Sequence, residues 1–311
     1  MEIFLWSLVL IVSLIVLVKS ADWFTDNAEV IGLSFGIPAF IIGVTLVSIG
    51  TSLPELSTAI VAVLGGEPTI VAANVVGSNL FNIAIGIGIP VLIAGGMAVR
   101  RDLINLDIPL LAGVTLLGVF TLFDGSVSRV EGAILIIALV TYLAYTVYER
   151  GGKKEKGKGK RPKLTAKNVI MLLVGAAGVI IGSKFVIDSV LELSVIFSIP
   201  PSILSLTAIA LGTSLPELVV AASAARKKQY EIALGGIVGS NVFNMTAVLG
   251  IPALITPLAV DEATLLLALP FMGGITLLYA LSSISRKVHV WEGAMFVLVY
   301  VLFLSKLFVA L

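Results

Sequence analysis

Two copies of one hexapeptide place a carboxylate inside a long apolar segment. Gly-Thr-Ser-Leu-Pro-Glu occupies residues 50–55 and recurs at residues 212–217. Apolar residues flank Glu55 and Glu217 on both sides, which puts both carboxylates near the middle of a bilayer-spanning segment. An ionisable group there costs about 2.5 kcal/mol or more, so it indicates a functional site. Because no Lys or Arg lies nearby in the sequence, the two glutamates predict a bound cation or a proton.

Each motif also carries a proline that disturbs the surrounding helix. Pro54 and Pro216 have no N–H to donate, and each clashes with a carbonyl four residues earlier, at Gly50 and Gly212. We therefore expect both helices to break, and in lipid the freed carbonyls must line a polar cavity. Carbonyl, hydroxyl and carboxylate oxygens together suit Ca²⁺, which takes about six to eight oxygen ligands.

The hexapeptide has a plainer interpretation as the N-terminus of a helix. Ser52 would cap that helix, the proline would lie in its first turn, and Glu55 would complete a capping box. This interpretation is compatible with a functional site, because the capped half-helix would begin at the middle of the membrane.

A second repeated motif follows each hexapeptide in the next apolar segment. GSNLFN occupies residues 77–82 and GSNVFN occupies residues 239–244. Polar side chains within a membrane either bind a substrate or hold helices together. We assign Asn79 and Asn241 to contacts between helices, and we expect four residues of these motifs at the site: Ser78, Asn82, Ser240 and Asn244.

The composition defines the class of protein in which these motifs lie. The chain has 311 residues, of which 58% are hydrophobic and only 13% charged, against about a quarter charged in soluble domains. It is therefore an integral membrane protein. The absence of cysteine excludes disulfides and thiolate metal sites. The single histidine, His289, excludes an imidazole metal cluster and a Ser-His-Asp triad within the membrane.

The apolar segments predict an all-α protein of ten transmembrane helices. The N-terminal run is expected to be the first span and not a removable signal peptide, because it lacks a basic start and a cleavage site. In the first half we place the spans near residues 3–20, 38–64, 69–95, 104–123 and 129–149. In the second half we place them near residues 166–190, 200–225, 231–256, 261–283 and 288–310.

The two halves are copies of one unit. With a shift of 162 residues, Glu55 matches Glu217 and Asn82 matches Asn244 without a gap, which indicates internal duplication. The predicted domains are a first five-helix repeat at 1–149, a basic linker at 150–165 and a second repeat at 166–311. Further matched pairs are Ser78 with Ser240, Pro38 with Pro200, Pro90 with Pro252 and Asp26 with Asp188.

An odd number of spans per repeat makes the second copy inverted relative to the first. The loops agree: LGGEPT has no basic residue, whereas its counterpart ARKKQYE has three. Inverted repeats are typical of secondary transporters, whose substrate site lies at mid-membrane between discontinuous helices. We expect helices 2, 3, 7 and 8 to be discontinuous.

Basic residues set the orientation, because cytoplasmic loops collect Lys and Arg. With the linker in the cytoplasm, all but three of the 20 basic residues lie on that side, the exceptions being Arg129, Lys184 and Lys306. We therefore predict a multi-pass protein of the cell membrane with a cytoplasmic linker and both termini extracellular.

The paired G-T-S-x-P-E and G-S-N-x-F-N motifs resemble the two alpha repeats of the calcium/cation antiporter superfamily. The prokaryotic branch of the sodium/calcium exchanger family is the most similar, and the resemblance covers nearly the whole chain. It implies a compact core of spans 2, 3, 7 and 8 around four cation sites, with spans 1 and 6 sliding past it. It also implies electrogenic exchange of three Na⁺ for one Ca²⁺ by alternating access.

The resemblance also implies a role for each matched residue. Glu55 and Glu217 would hold the central Ca²⁺ together with the backbone carbonyls of Thr51 and Thr213. Asn82 and Asn244 would lie at the middle position. The flanking sodium sites would be formed by Ser52, Ser214, Ser78 and Ser240, with the carbonyls of Ser48 and Ala210.

Two positions depart from the family pattern. Ser48 stands where the other repeat has Ala210, which a carbonyl ligand tolerates. Position 244 is Asn, whereas potassium-dependent exchangers carry Asp there. We therefore expect transport to be independent of K⁺.

Other functions remain open from the residues alone. The same glutamates would serve a proton/cation exchanger such as an H⁺/Ca²⁺ antiporter, and paired acids also line the selectivity filters of cation channels. An intramembrane hydrolase would need a water-activating arrangement that nothing in the sequence marks. We expect no enzyme activity, no cofactor and no nucleic-acid partner, with Ca²⁺, Na⁺ and lipid as the partners of a functional monomer.

Overall fold

The computed structural model describes residues 2–36, 39–100, 103–151, 162–196 and 201–310. Pro38, Pro200 and linker residues 152–161 lie outside this described part. Nearly all of the described chain is helical, as expected of apolar segments whose backbone groups must be satisfied without water.

The first half of the chain alternates long helices with short irregular segments. Its α-helices are α1 (Glu2–Ser34), α2 (Ala39–Ile42), α3 (Ser48–Thr51), α4 (Leu53–Leu64), α5 (Thr69–Ala84), α6 (Gly88–Ala94), α7 (Ile108–Leu122) and α8 (Arg129–Gly151). Two π-helical segments, Gly43–Val47 and Leu103–Asp107, and two short strands, β1 (Met97–Ala98) and β2 (Ser126–Val127), complete it.

The second half follows the same plan. Its α-helices are α9 (Ala166–Ile196), α10 (Pro201–Arg226), α11 (Tyr230–Phe243), α12 (Leu249–Ile255), α13 (Leu269–Ser283) and α14 (Val290–Ala310). The π-helical segments are Asn244–Val248 and Thr264–Ala268, and the strands are β3 (Leu258–Ala259) and β4 (Lys287–Val288).

Many of these helices can cross a membrane. In the described residues, seven helical stretches are long and apolar enough, and the bent pair Gly43–Thr51 and Leu53–Leu64 raises the number to eight. Two more predicted spans correspond to α9 and α10, which have 31 and 26 residues. The chain is thus an all-helical, multi-pass membrane protein, and the full count of ten spans stays a prediction.

Burial separates inner from outer helices. In the most apolar 18 residues of Tyr230–Ile255, 94% of the window is buried within the protein, against 72% for Thr69–Ala94 and only 18% for Glu2–Ser34. The inner two are the segments that carry the G-S-N-x-F-N motifs. Apolar side chains on the outer helices remain exposed, as a lipid-facing surface requires.

Helix α1 packs closely along α9 because a row of glycines leaves room for its backbone. A Cβ atom added at Gly175 would lie 2.7 Å from the Phe24 nitrogen, and one added at Gly182 would lie 3.1 Å from the Leu17 Cα. Small residues spaced along one helix face allow such close approach in membranes. The two outer helices therefore form one packed pair.

The two halves interlock through two small antiparallel sheets. Strand β1 pairs with β4, and β2 pairs with β3, so each sheet takes one strand from each half. The first strand of either half pairs with the second strand of the other. This exchange is what two copies related by a pseudo-two-fold axis would produce.

Candidate functional site

The first hexapeptide lies where a helix bends. Helix α3 ends at Thr51, Ser52 has φ −89° and ψ 6°, and α4 begins at Leu53 with Pro54 in its first turn. The helix axis bends by 45° between the two segments on either side of the break, Gly43–Thr51 and Leu53–Leu64. The bend carries Glu55 into the interior, where it is fully buried.

The second hexapeptide departs from the predicted break. Helix α10 runs without interruption from Pro201 to Arg226, with Pro216 inside it. Discontinuity of helix 7 at this proline is therefore wrong for this structure. Membrane helices tolerate an internal proline, because neighbouring helices, hydroxyl side chains or local adjustments can satisfy the freed backbone groups. Glu217 is nonetheless buried, at 3% exposure.

Each carboxylate accepts a hydrogen bond from a serine of the other half. Ser52 Oγ donates to Glu217 Oε1 at 2.8 Å, and Ser214 Oγ donates to Glu55 Oε1 at 3.2 Å. Ser52 occupies the N-cap position of α4 but its side chain makes no capping hydrogen bond. The capping-box interpretation of Ser52 is therefore wrong, since its hydroxyl contacts the glutamate of the other half.

The second oxygen of each carboxylate has no hydrogen-bond partner in the described part of the chain. Glu55 Oε2 and Glu217 Oε2 are buried without a hydrogen bond among the described residues. A buried, unpaired carboxylate oxygen is costly unless a cation neutralises it. Within the described part of the chain no Lys or Arg side chain is buried. The two glutamates therefore form an uncompensated acidic centre.

Hydroxyl groups surround this centre in two matched pairs. The hydroxyls of Thr51 and Ser240 lie 3.4 Å apart, and those of Ser78 and Thr213 lie 3.5 Å apart. Each pair joins a hexapeptide of one half to the G-S-N-x-F-N motif of the other. All four side chains are buried. The structure thus brings both predicted motifs of both halves to one place.

Asn82 and Asn244 are buried with all of their side-chain amide atoms unpartnered among the described residues. Both stand at irregular points of the inner helices. Asn244 begins the π-helical segment Asn244–Val248, and α5 ends at Ala84 shortly after Asn82. Segments of π-helix are frequent at functional sites. The two inner helices therefore each carry one buried amide whose oxygen and nitrogen are available to a ligand.

Ser48 and its counterpart Ala210 are two positions expected to contribute backbone carbonyls. The Ser48 hydroxyl donates to the carbonyl of Val44, so it is already engaged within its own helix. Ala210 lies in α10, and its side chain is outside the described residues. Among the described residues there is no group of three or more His, Cys, Asp or Glu side chains. Ligands at this site must therefore include hydroxyl, amide and carbonyl oxygens.

This arrangement agrees with what the whole sequence resembles. The family model described as "Sodium/calcium exchanger protein" matches residues 5–148 and 167–309, which is most of both halves. The chain belongs to the sodium/calcium exchanger family. Sodium and calcium are the ions that this family transports, and no cofactor is indicated.

Individual relatives of this exchanger-family chain support the same assignment. It is 37% identical to the inner membrane protein YrbG of Escherichia coli (strain K12) over 262 residues, 81% of this chain and 80% of that one. It is 31% identical to the sodium/calcium exchanger MaX1 of Methanosarcina acetivorans over 345 aligned positions, 97% of this chain and 98% of that one.

A solved structure matches the fold of this family member. The sodium-calcium exchanger NCX_Mj, soaked with 10 mM Na⁺ and zero Ca²⁺, superposes with a TM-score of 0.85 at 27% sequence identity. The match covers 98% of this chain and 99% of that one. The architecture described above is therefore that of a known exchanger along its full length.

In this exchanger-family chain Asn79 and Asn241 hold the inner helices together. Asn79 Nδ2 donates to the carbonyl of Asn241 at 3.1 Å, and Asn241 Nδ2 donates to the carbonyl of Asn79 at 3.3 Å. The reciprocal bonds tie α5 to α11. The contact between helices predicted for these two residues is present.

The sequence analysis missed one polar residue of the site. Asn74 Oδ1 accepts hydrogen bonds from the hydroxyls of Thr213 at 3.3 Å and Ser78 at 3.4 Å. Asn74 lies one turn before Ser78 on α5 and is 4% exposed. Its position in the apolar segment was the available signal, but the matching position of the second half is Gly236. A search for repeated polar residues therefore passes over it.

Proposed function

We propose that this protein is a secondary antiporter that exchanges Na⁺ for Ca²⁺ across the cell membrane by alternating access. The observation that carries the proposal is the acidic centre itself. Glu55 and Glu217 are buried, each keeps one oxygen without a hydrogen bond among the described residues, and no buried Lys or Arg of that part balances them. Such a centre requires a cation, and Ca²⁺ requires oxygens of this kind.

Calcium is assigned to the space between the two glutamates. Their carboxylates and the backbone carbonyls of Thr51 and Thr213 offer about six oxygens, the lower end of the range that Ca²⁺ takes. Two negative charges balance one divalent cation, so the loaded site is neutral. Asn82 and Asn244, buried with their amide atoms unpartnered among the described residues, lie at the middle position beside it.

Sodium is assigned to the hydroxyl groups on either side. These sites use the side chains of Ser52, Ser214, Ser78 and Ser240 and the backbone carbonyls of Ser48 and Ala210. Support for them comes from the hydroxyl pairs that join the halves, such as Thr51 with Ser240. Because Na⁺ and Ca²⁺ share the two glutamates in this scheme, binding of one ion competes with the other, which couples their movements.

The finer properties of transport follow from the same assignment. Three Na⁺ exchanged for one Ca²⁺ would move one net charge in each cycle, so transport is electrogenic. Since position 244 carries an amide and not a carboxylate, the site has no third negative charge for K⁺ and transport is independent of K⁺.

The proposed architecture is two inverted five-helix repeats, at 1–149 and 166–311, with ten helices and a cytoplasmic linker at 150–165. The crossed strand pairs and the reciprocal hydrogen bonds between the halves support it. The polar centre lies where the two copies meet, as in other inverted-repeat transporters. Both termini are extracellular, and since one chain supplies both copies, the functional unit is a monomer.

Uptake of radiolabelled Ca²⁺ into proteoliposomes tests the proposal. An outward Na⁺ gradient should drive accumulation of Ca²⁺ inside the proteoliposomes. Because the exchange moves one net positive charge outward, a negative potential outside should accelerate uptake, and K⁺ should have no effect on it. Proteoliposomes with Glu55→Gln protein supply the background. Uptake driven by a proton gradient and indifferent to Na⁺ would instead identify an H⁺/Ca²⁺ exchanger, and flux without any counter-ion would identify a channel.

A further inference from the structure

The two halves differ at one matched position of the site. Asn74 in the first half corresponds to Gly236 in the second. In the first half, Asn74 Oδ1 accepts the hydroxyl protons of Ser78 and Thr213. Hydroxyls that donate in this direction present their lone pairs elsewhere, so Asn74 fixes how two hydroxyls face the acidic centre. In the second half the matching position is glycine, and the Thr51 hydroxyl donates instead to the backbone carbonyl of Val47 at 3.1 Å.

A small cavity lies at that position in the second half. It has a volume of about 10 Å³ and is lined by Thr51, Glu217, Gly236 and apolar neighbours that include Val47 and Ile232. A Cβ atom built on Gly236 would contact only the Val47 side chain, at 3.4 Å, which is ordinary van der Waals contact. The cavity therefore exists because position 236 has no side chain.

The size and lining of the cavity match one water molecule. A buried water needs about 10–15 Å³ of such space and two to four polar partners, whereas purely apolar cavities stay dry. Thr51 supplies a hydroxyl and Glu217 supplies a buried carboxylate whose Oε2 has no hydrogen bond among the described residues. Because the Thr51 hydroxyl donates its proton to the Val47 carbonyl at 3.1 Å, a water there can donate one proton to the Thr51 oxygen and the other to the carboxylate.

We propose that a water molecule bound beside Gly236 occupies the place in the second half that the Asn74 side chain occupies in the first. It donates to the Thr51 hydroxyl oxygen and to the Glu217 carboxylate, and so orients Glu217. The site is therefore chemically asymmetric, with a fixed amide on one side and an exchangeable water on the other. The transport consequence of this water rests on the proposed Na⁺/Ca²⁺ exchange, while its presence does not.

Two substitutions at position 236 distinguish the effect of losing the water's hydrogen bonds from the effect of filling its space. Gly236→Ala fits the available room and displaces the water without replacing its hydrogen bonds. Gly236→Ser places a hydroxyl near the same point. Gly274→Ala is the control for adding a methyl group to a helix, since no atom lies within 4 Å of its Cβ position and alanine is the better helix former.

The first measurement is a density map of the whole protein at a resolution that shows ordered waters. We expect a water peak within hydrogen-bond distance of Thr51 and Glu217 in the wild type and none in Gly236→Ala. A wild-type map without this peak overturns the proposal, whatever the protein transports.

The second measurement is the Na⁺ concentration that gives half-maximal Ca²⁺ exchange. Loss of a hydrogen bond to a charged group corresponds to about a tenfold increase, which we expect for Gly236→Ala, with partial recovery in Gly236→Ser and no change in Gly274→Ala. Equal values for the Ala variant and the wild type would overturn the orienting role. A wild type without Na⁺-driven uptake would instead refute the proposed function and leave the density test standing.

Discussion

Removal of one buried carboxylate should separate Ca²⁺ binding from Na⁺ binding. Glu217→Gln keeps the size of the side chain and removes its charge, while Glu55 stays in place. Within the described residues no Lys or Arg is buried, so no positive side chain inside the protein offsets the charge of the two glutamates. With one carboxylate left, Na⁺ still forms a neutral pair, whereas Ca²⁺ leaves one net positive charge in the middle of the membrane.

The size of the difference follows from the charges. Two unit charges about 4 Å apart interact by about 4 kcal/mol at an effective dielectric constant of about 20. Removal of one carboxylate therefore costs Na⁺ about 4 kcal/mol and Ca²⁺ about 8 kcal/mol. Because each 1.4 kcal/mol is about tenfold in affinity, Ca²⁺ binding should weaken about a thousandfold more than Na⁺ binding.

Equilibrium binding of radiolabelled Ca²⁺ and Na⁺ to purified protein measures this difference without the steps of transport. Glu55→Gln should behave like Glu217→Gln, because both carboxylates are buried and each accepts a hydroxyl from the other half. Glu67→Gln, at an exposed carboxylate in a loop, is the control. Equal losses for the two ions, or Ca²⁺ affinity within tenfold of the wild type, would refute the charge argument.

Three further substitutions test separate parts of the structure. Asn82→Ala should weaken Ca²⁺ uptake less than Glu55→Gln does, since it removes a neutral ligand; equal damage in the uptake assay would place the amide among the central ligands. Asn79→Ala removes a buried hydrogen bond between helices, so thermal unfolding in detergent should show that the free energy of unfolding falls by about 1–2 kcal/mol. The Na⁺ concentration that gives half-maximal exchange should stay unchanged. Gly239→Ala puts a Cβ atom 2.5 Å from a backbone carbonyl oxygen, so little folded protein should elute on size-exclusion chromatography. Gly273→Ala is the control, because no atom lies within 4 Å of its Cβ position, and this variant should elute like the wild type.

Repetition in the sequence predicted much of the site. Motifs matched by a constant shift indicated which residues meet, and the structure places Ser52 against Glu217 and Ser214 against Glu55. That inference works because a pseudo-two-fold axis turns equal positions in two copies into neighbours. The same reasoning could not find Asn74, since its partner position had become glycine, which leaves no polar side chain to match.

Local backbone geometry was harder to predict than the positions of the motifs. Pro54 lies next to a bend, whereas Pro216 lies within a continuous helix. Proline removes one donor in either case, and packing around the helix decides whether the chain bends. The sequence analysis predicted none of the π-helical segments, such as Gly43–Val47.

The crossed hydrogen bonds of the acidic centre have a consequence for how the protein is made. Ser52 and its partner Glu217 are 165 residues apart in the chain. At a synthesis rate of about 5–20 residues per second, roughly ten to thirty seconds pass between insertion of the first motif and arrival of the second. Throughout that interval Glu55 lies in a nascent chain without the half that buries it. Until the second half arrives, the carboxyl group of Glu55 must either stay beside water or the insertion machinery, or take up a proton, because lipid alone offers an ionised carboxylate no partner.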